Sequence, residues 1–197
     1  ASVGFDAHGV DLDDGMLAAC RERGLSVETA DAIATLRAMA DNRLAMVSAF
    51  HVVEHIPFDA VRTLVAEALR VLQPGGLLIM ETPNPENLTV GANSFYRDPS
   101  HIKPLPPELL AFASEHGGFA RTKVVRLQEP QELHGDIQLG MQHVLEGVSP
   151  DYAIVAQKSA APGVLAPFDA AFAAEYGISL GLASHRYDVQ SAQLRGR

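Results

Sequence analysis

Residues 72–84 have the sequence LQPGGLLIMETPN, and this stretch decides the fold class. A helical pattern stops at its start, turn-forming residues follow at 73–76, and residues 77–81 are an apolar run. Proline and glycine end helices, and a short apolar run bounded by turn residues is typical of a buried strand. The stretch therefore predicts a helix, a turn and a strand in direct succession, which is the repeating unit of a parallel α/β sheet.

Apolar runs alternate with amphipathic helical patterns on both sides of this stretch. Residues 58–72 carry apolar side chains at helical spacing and predict the helix before the turn. Residues 44–50 contain few polar side chains, which indicates a strand covered on both faces. The whole pattern predicts an α/β, Rossmann-like fold: a mostly parallel sheet with helices on both faces. Strands are predicted at residues 7–12, 25–29, 44–50, 77–81, 122–127 and 152–157.

Shorter helical patterns and one long polar segment fill the rest of the chain. Residues 82–107 are rich in proline, asparagine and glycine and predict a long loop, which in a compact domain is usually functional, such as a lid. We expect one domain at residues 1–159, followed by a linker and helical tail at 160–197. Helices are predicted after the capping residues Asp13 and Asp14, at 32–40, at 108–116, within 131–147, and from 168 to the end.

The composition is that of a folded, acidic protein. The 197 residues are 47% hydrophobic and carry a formal net charge of −9, which disfavours nucleic acid as a partner because such a surface repels phosphates. Cys20 is the single cysteine, so disulfide frameworks and multi-cysteine metal sites are excluded. No apolar run approaches the roughly 20 residues that cross a bilayer. We expect a cytoplasmic protein without a transmembrane segment.

Two aspartates stand where predicted strands end. Asp11 lies at the end of the first predicted strand, and Asp31 follows the second. Because ligands of parallel sheets bind beyond the carboxyl ends of the strands, Asp11 is a candidate for accepting both hydroxyls of a ribose, and Asp31 for binding an adenine amino group. Both aspartates are equally suited to capping the helix that follows.

The segment AFHVVEHIP at residues 49–57 places two histidines and a glutamate at the end of a predicted buried strand. His51, Glu54 and His55 would share one face of a helical turn. One interpretation is capping histidines at a surface turn, and the other is a general base or a metal site. Three ionisable groups beside a buried strand favour a functional site.

Several motifs resemble, in their order along the chain, the successive landmarks of class I S-adenosylmethionine-dependent methyltransferases. They are GVD at 9–11, ADA at 30–32, FHVVEH at 50–55 and LQPGGLLIMETPN at 72–84. The resemblance covers residues 4–158, and residues 84–110 resemble the methyltransferase domain of bacterial O-antigen chain-terminating and other polysaccharide-locus proteins. It implies S-adenosylmethionine as cofactor, an antiparallel last strand inserted beside the one before it, and a substrate-facing lid at 82–107.

The resemblance also implies roles for individual residues. It implies that Asp11 binds the ribose of the cofactor, with Leu12 beside it. It also implies that Asp31 and Ala32 contact the adenine, and that Phe50 and His51 lie beside the methionine part. The expected reaction is methyl transfer to an oxygen, in a sugar hydroxyl or phosphate of a surface polysaccharide or its precursor.

Three histidines are the catalytic candidates: His51, His55 and His101. His51 is suited to take the proton of a hydroxyl acceptor because an imidazole titrates near working pH. A phosphate acceptor needs no base, and His101, Arg97 and Lys103 would then hold the anion. The expected partners are a small-molecule or glycan substrate and a second copy of the chain.

One part of the family pattern has no counterpart in the sequence. The family begins with a strand and a glycine-rich loop, of the form D-x-G-C-G-x-G, that cradles the methionyl end of the cofactor, whereas residues 4–6 correspond to the end of the helix after that loop. Without that strand, residues 7–12 and 44–50 would face each other across about 10 Å. We therefore expect the natural protein to continue upstream of Ala1, and a chain lacking the loop to bind the cofactor poorly.

The histidines and glutamate also raise a metal hypothesis. His51, Glu54, His55 and the distant His101 are similar to the ligand pattern of magnesium- or manganese-assisted small-RNA 2′-O-methyltransferases, in which two glutamates and two histidines hold the ion. His51 replaces the first glutamate, which favours a softer metal or none, since magnesium prefers oxygen ligands. The sequence favours an unmetallated base with a neighbouring ion pair.

Two other functions stay open. A nucleotide-cofactor dehydrogenase would share the acidic residue at the strand end, but the chain has no Tyr-x-x-x-Lys pair and no second mononucleotide half. The second alternative is a degenerate, non-catalytic interaction module. The tail at residues 168–197, which follows a linker after the sheet, is consistent with such a module.

Overall fold

The computed structural model describes residue 4 and residues 6–195 of the chain. Ala1, Phe5 and the last two residues of the predicted tail lie outside this part. The strands are β1 (Gly9–Asp11), β2 (Val27–Thr29), β3 (Leu44–Phe50), β4 (Leu72–Pro83), β5 (Arg121–Leu127) and β6 (Asp151–Gln157). The α-helices are α1 (Asp14–Glu22), α2 (Ala32–Ala38), α3 (Phe58–Val71), α4 (Leu88–Ala92), α5 (Pro107–His116), α6 (Met141–Glu146), α7 (Pro162–Leu165), α8 (Asp169–Ala173) and α9 (Leu180–Arg195). Short 3-10 helices lie at Val53–His55, Ser94–Arg97, Gln131–His134 and Ala166–Phe168.

The strands form a mixed sheet whose last strand is reversed. Four strands pair in the order β3-β4-β6-β5, and β1 and β2 form a separate parallel pair. β3 and β4 are parallel, whereas β6 is antiparallel to both β4 and β5. β3, β4 and β5 therefore run in one direction and β6 runs in the other. The predicted insertion of an antiparallel last strand beside β5 is confirmed.

The Pro-Gly-Gly segment lies inside a strand and not, as predicted, in a turn before it. β4 begins at Leu72, directly after α3, and its pairing with β3 shifts register between Leu44 and Met46. Gly76 explains the irregularity, because a Cβ there would lie 3.0 Å from the carbonyl oxygen of Ala45 and 2.9 Å from that of Gln73. The strand is interrupted here: Gly75 has a φ of 81°, and residues 73–76 stand opposite the single residue Ala45 in a wide bulge.

β3 is more exposed than its apolar sequence predicts. Val47 and Ala49 face the core, but Met46 and Phe50 on the other face are 51% and 57% exposed. Among the described strands β3 pairs with β4 only, so it forms an edge of the four-stranded sheet. The prediction that both of its faces are covered is wrong, because in the described part of the chain the face that carries Met46 and Phe50 is open to solvent.

Arg70 connects the two halves of the fold. It lies on α3, and its guanidinium donates to the carbonyl oxygens of Leu36 and Met39 at the end of α2, both at 2.8 Å. It also forms an ion pair with Asp41 at 2.7 Å. Because α2 follows β2, these bonds fix the β1–β2 unit against the helix that covers the larger sheet.

The segment predicted as a long loop, 82–107, contains α4 and a 3-10 helix and is anchored by two buried asparagines. The side-chain amide of Asn84 donates to the carbonyl of Ser149 (2.8 Å), and that of Asn87 to the carbonyl of Val148 (2.7 Å). Asn84 and Asn87 are 0% and 2% exposed. The asparagines that made this stretch resemble a loop therefore satisfy buried backbone groups and fix its first part.

The chain after β6 packs against the rest of the protein. Its residues Ile178 and Ala183 join a small core with Leu133, Leu139 and Val148. Asp169 forms an ion pair with Arg121 on β5 at 2.6 Å. The domain division at residue 159 stays a prediction. Among residue 4 and residues 6–195, no helix combines the length and apolar character that a membrane crossing requires.

Candidate active site

Three strand ends meet at one edge of the four-stranded sheet. The backbone N–H of His51, the residue after β3, donates to the carbonyl of Glu81 near the end of β4 (2.9 Å). The antiparallel strand β6 begins at Asp151, which pairs with Pro83, the last residue of β4. Residues that follow β3, end β4 and begin β6 thus share the edge where parallel sheets bind their ligands.

His51 and Glu54 form a hydrogen-bonded pair at this edge. Nδ1 of His51 lies 3.0 Å from Oε1 of Glu54, and because a carboxylate can only accept, Nδ1 carries the proton. The other oxygen of Glu54 accepts from the hydroxyl of Thr82 (2.9 Å). Glu54 is 1% exposed, whereas the side chain of His51 is 46% exposed. A buried carboxylate therefore orients an accessible imidazole, whose Nε2 is left to accept a proton.

The backbone of His51 is strained. Its φ is 51°, in the left-handed region that residues other than glycine rarely adopt. The strain reverses the chain between β3 and the 3-10 helix Val53–His55, so the ring of His51 meets Glu54 three residues later. Strained conformations of this kind cluster at functional sites.

His55 and His101 form a second group around the same glutamate. Their ring centres are 4.7 Å apart. One ligand-type atom from each of Glu54, His55 and His101 lies within 4.8 Å of the others. Three of the four metal candidates named from the sequence thus converge, and the fourth, His51, contacts the cluster through Glu54.

A cavity of about 240 Å³ adjoins this cluster. It is lined by Pro83, Val90, Ser94, Phe95, His101, Pro150 and Asp151. Burial raises the pKa of the Asp151 carboxyl above its ordinary value of 3.8, and the charges of Glu81 and Glu54 raise it further against the opposing effect of His51. The cavity therefore presents an imidazole and a carboxyl group that is protonated more readily than usual.

Sequence reasoning missed three members of this site: Thr82, Glu81 and Asp151. The available signal was topological. Once the last strand is predicted to be antiparallel, its first residue must lie at the edge where the parallel strands end. Asp151 could have been found in this way, whereas the contact of Thr82 with Glu54 depends on packing that a sequence pattern does not contain.

Two basic residues predicted to hold an anion are engaged elsewhere. Nε of Arg97 donates to the side-chain oxygen of Asn93 (3.1 Å). The ammonium of Lys103 lies 4.8 Å from the ring centre of Phe58. Of the predicted anion-binding residues, His101 alone lines the cavity among the described part of the chain.

The two aspartates predicted to bind a nucleoside lie in the β1–β2 unit. Asp11 ends β1, and its Oδ1 accepts the N–H of Asp13 (2.8 Å). Asp31 caps α2, because its Oδ1 accepts the N–H of Ala34 (2.7 Å). Among the described residues, no hydrogen bond or ion pair joins either aspartate to His51. Because Asp11 and His51 both follow apolar strand runs, we expect them to face one cleft, and this stays a prediction.

Comparison with known proteins identifies the family. A family model described as a methyltransferase domain matches residues 1–80. The crystal structure of a SAM-dependent methyltransferase from Archaeoglobus fulgidus is 30% identical, with a TM-score of 0.69 over 79% of this chain and 77% of that chain. A SAM-dependent methyltransferase from Thermotoga maritima, described as a possible histamine N-methyltransferase, is 20% identical (TM-score 0.56; 77% and 72% covered). One from Mesorhizobium loti is 16% identical (TM-score 0.53; 77% and 79% covered). No curated protein matches.

At this level of identity over most of the Archaeoglobus fulgidus protein, the chain belongs to the S-adenosylmethionine-dependent methyltransferases. It is an enzyme of the transferase class, and its cofactor is S-adenosylmethionine. The Rossmann-like fold with a mixed sheet and helices on both sides is confirmed. The dehydrogenase alternative is wrong, since the same fold is here used for methyl transfer.

The residues predicted to bind the cofactor fit the chemistry of its nucleoside. Within the described part of the chain, Oδ1 is the one oxygen of Asp11 that has a partner, so the other can accept ribose hydroxyls. Leu12 and Phe50, at the ends of β1 and β3, are 74% and 57% exposed and offer apolar contact. Ala32 is the first residue of α2, directly after the capping Asp31.

Proposed function

We propose that the enzyme transfers the methyl group of S-adenosylmethionine to a hydroxyl oxygen of a sugar, in a surface polysaccharide or its precursor. The observation that supports this most is the chain of hydrogen bonds from Thr82 through Glu54 to His51. Such a chain orients a general base, which a hydroxyl acceptor needs and a phosphate acceptor does not. Arg97 contacts Asn93 and Lys103 contacts Phe58. Because these two residues were expected to hold a phosphate, their contacts also favour a hydroxyl acceptor.

The chain's own residues handle the proton. S-adenosylmethionine supplies a methyl group on a positively charged sulfur. As the hydroxyl oxygen forms its bond to the methyl carbon and the bond from carbon to sulfur breaks, Nε2 of His51 takes the hydroxyl proton. The Nδ1–H of His51 donates to Glu54, whose negative charge stabilises the imidazolium that forms. Thr82 holds Glu54 in position for this role.

The cofactor is proposed to bind along the ends of β1, β2 and β3. Asp11 binds the ribose hydroxyls, and Leu12 packs against the nucleoside. Asp31 and Ala32 lie beside the adenine. Phe50 and His51 would hold the methionine part.

The acceptor is proposed to bind in the cavity beside the cluster. Asp151, Ser94 and His101 offer hydrogen-bonding groups on its wall, and a sugar presents several hydroxyls for such groups. The polysaccharide assignment is supported by the resemblance of residues 84–110 to polysaccharide-locus enzymes. His101 then positions the acceptor, while His51 removes its proton.

An amine acceptor is the second candidate. Three carboxyl groups, those of Glu54, Glu81 and Asp151, lie around His51 and would attract a cation. Oε1 of Glu81 lies 3.6 Å from Nε2 of His51, so an ammonium that contacts Glu81 would lie beside the imidazole and be electrostatically favourable. The hydroxyl is preferred because the hydrogen bond from Nδ1 of His51 to Glu54 orients a general base, which a hydroxyl acceptor needs.

The test is the position of the transferred methyl group. The full-length protein is incubated with carbon-13-methyl S-adenosylmethionine and three acceptors: a nucleotide sugar, a sugar phosphate without free hydroxyls, and a primary amine. Nuclear magnetic resonance should show a methyl ether on the sugar. A methyl phosphate or methylamine would contradict the proposal, and cofactor binding without any transfer would favour a non-catalytic module.

A further inference from the structure

His55 takes no part in the proton-transfer step, yet it forms a cluster with Glu54 and His101. Glu54 and His55 belong to the 3-10 helix after β3, whereas His101 comes from the segment before α5. One nitrogen or oxygen from each lies within 4.8 Å of the others. Two imidazoles and a carboxylate at this separation are a set of ligands that a single cation can bring together.

The hydrogen bonds of His101 leave one particular nitrogen available. Its Nδ1 lies 2.6 Å from the carbonyl oxygen of Phe95. A carbonyl can only accept, so Nδ1 carries the proton and Nε2 keeps its lone pair. A backbone carbonyl bound to the far nitrogen is the usual arrangement that fixes a metal-binding histidine.

The same conclusion holds for His55, by an independent count of protons. The hydroxyl of Ser100 donates its one proton to Oδ1 of Asp98 at 2.5 Å. Towards Nδ1 of His55, 2.9 Å away, that hydroxyl can therefore only accept, so Nδ1 carries the proton. Nε2 of His55 is left with its lone pair, and a carboxylate stands behind the histidine through Ser100, as behind many metal-binding histidines.

Glu54 retains capacity for a further bond. Its two oxygens accept one hydrogen bond each, from His51 and Thr82, and each oxygen has a second lone pair. A carboxylate that is 1% exposed is costly to bury unless positive charge is close. The hydrogen bonds that hold it are of the kind that orient a ligating carboxylate.

We propose that Glu54, His55 and His101 bind one divalent transition-metal ion of the zinc class. Two imidazole nitrogens favour such an ion over magnesium, which prefers oxygen ligands. Three protein ligands leave a coordination position open. Because His101 also lines the cavity, the ion would lie beside a bound acceptor, and His101 would then position the acceptor through the ion and not by a hydrogen bond of its own. The geometry therefore favours a metal where the sequence alone favoured none.

The experiment measures metal binding directly and does not require methyl transfer. Full-length protein stripped with a chelator is titrated with zinc and with magnesium by calorimetry, and the absorption spectrum of added cobalt(II) reports its ligands. We expect one zinc ion per chain, bound at least about 100-fold more tightly than magnesium, and a cobalt spectrum of low coordination number. Zinc should also raise the melting temperature of the protein.

Variants locate the site. His55→Ala and His101→Ala should each weaken zinc binding by at least about 100-fold, and Ser100→Ala by about tenfold because it removes only the partner of a ligand. His185→Ala, an exposed histidine on α9, is the control and should bind zinc as the wild type does. Circular dichroism establishes that each variant is folded.

Two results would overturn the proposal. One is a wild-type protein that binds no zinc, or whose cobalt spectrum is that of the hydrated ion, and this readout needs no variant. The other is zinc binding that survives both histidine substitutions. Either result leaves the proposed methyl transfer to a hydroxyl standing, whereas metal binding without methyl transfer would contradict that function alone.

Discussion

The Nδ1 atom of His51 lies 3.0 Å from Oε1 of Glu54, and the two side chains differ sharply in exposure: the glutamate is 1% exposed, the histidine side chain 46%. A fixed, buried charge therefore holds a solvent-accessible ring in one orientation. The strained backbone of His51, with φ of 51°, serves the same geometry. This pairing of His51 with Glu54 is the basis of the proposed proton transfer.

Removing the hydroxyl that supports Glu54 should slow the reaction without weakening substrate binding. In Thr82→Val the buried Oε2 of Glu54 loses its donor, and the free energy of unfolding should fall by about 1–3 kcal/mol. The turnover number should fall about tenfold while the KM values stay within about twofold, because Thr82 acts through Glu54. Thr82→Ser, which restores the hydroxyl, should recover most of the activity. Equal losses in both variants would contradict a positioning role.

The two neighbouring aspartates at the end of β1 should have separable roles. Asp11→Ala should weaken S-adenosylmethionine binding by about tenfold or more, since a charge-assisted hydrogen bond is worth roughly 1.5–3 kcal/mol. Asp13→Ala removes the cap of α1 and should cost about 1 kcal/mol of stability with little change in affinity. Calorimetric titration and thermal unfolding measure the two effects. A larger loss of affinity in Asp13→Ala than in Asp11→Ala would contradict the assignment of ribose binding to Asp11.

Asp151→Asn should stabilise the protein in a pH-dependent way. Because burial raises the pKa of the Asp151 carboxyl above 3.8, the folded protein binds this proton more tightly than the unfolded chain. The wild type therefore loses stability as pH rises from about 3.8 through the raised value, and the asparagine variant does not. The variant should melt at a higher temperature than the wild type at neutral pH, and the difference should shrink as pH falls.

The same substitution should reduce activity, since Asp151 lines the proposed acceptor cavity. We expect kcat/KM for the acceptor to fall about tenfold, mainly through KM, with unchanged affinity for S-adenosylmethionine. Gain of stability with loss of acceptor binding is typical of a residue kept for function. A variant that is less stable at neutral pH than the wild type would show that the carboxyl is not destabilising there.

The bulge in β4 should tolerate no side chain at Gly76. In Gly76→Ala the new Cβ would lie 3.0 Å from the carbonyl oxygen of Ala45, and backbone atoms must move. We expect a loss of about 1–3 kcal/mol in the free energy of unfolding. Gly163→Ala is the matched control: its Cβ meets nothing within 4 Å, and in α7 it should be neutral or stabilising by up to about 1 kcal/mol. Urea unfolding of both variants decides the matter.

The positions of the strands were predictable because burial leaves a direct signal in the sequence. The apolar runs that became β3, β5 and β6 lie within a residue of their predicted bounds. The early start of β4 was not predictable, because Pro74 and Gly75 normally interrupt strands. The exposure of Met46 and Phe50 was not predictable either, since it depends on which strands and helices lie beside β3.

The candidate site was predictable in its histidines and not in its partners. His51, Glu54 and His55 are close in sequence, but the helical turn begins only at Val53, and the left-handed backbone of His51 is what brings its ring to Glu54. The approach of His101 to Glu54 and His55 depends on the path of 82–107, which local patterns do not encode. Asp151 is 100 positions from His51, and the antiparallel strand that brings it to the same edge is a property of the fold.

If His51 removes a proton from a hydroxyl acceptor, an acceptor that is already ionised should not need it. Methyl transfer by the wild type and His51→Gln is measured for a sugar acceptor and for its analogue with a thiol at the acceptor position. A thiol loses its proton near pH ~8.5, so above that pH it needs no base. We expect His51→Gln to lose at least about 100-fold in kcat/KM with the hydroxyl and less than about tenfold with the thiolate. Equal losses with both acceptors would contradict it.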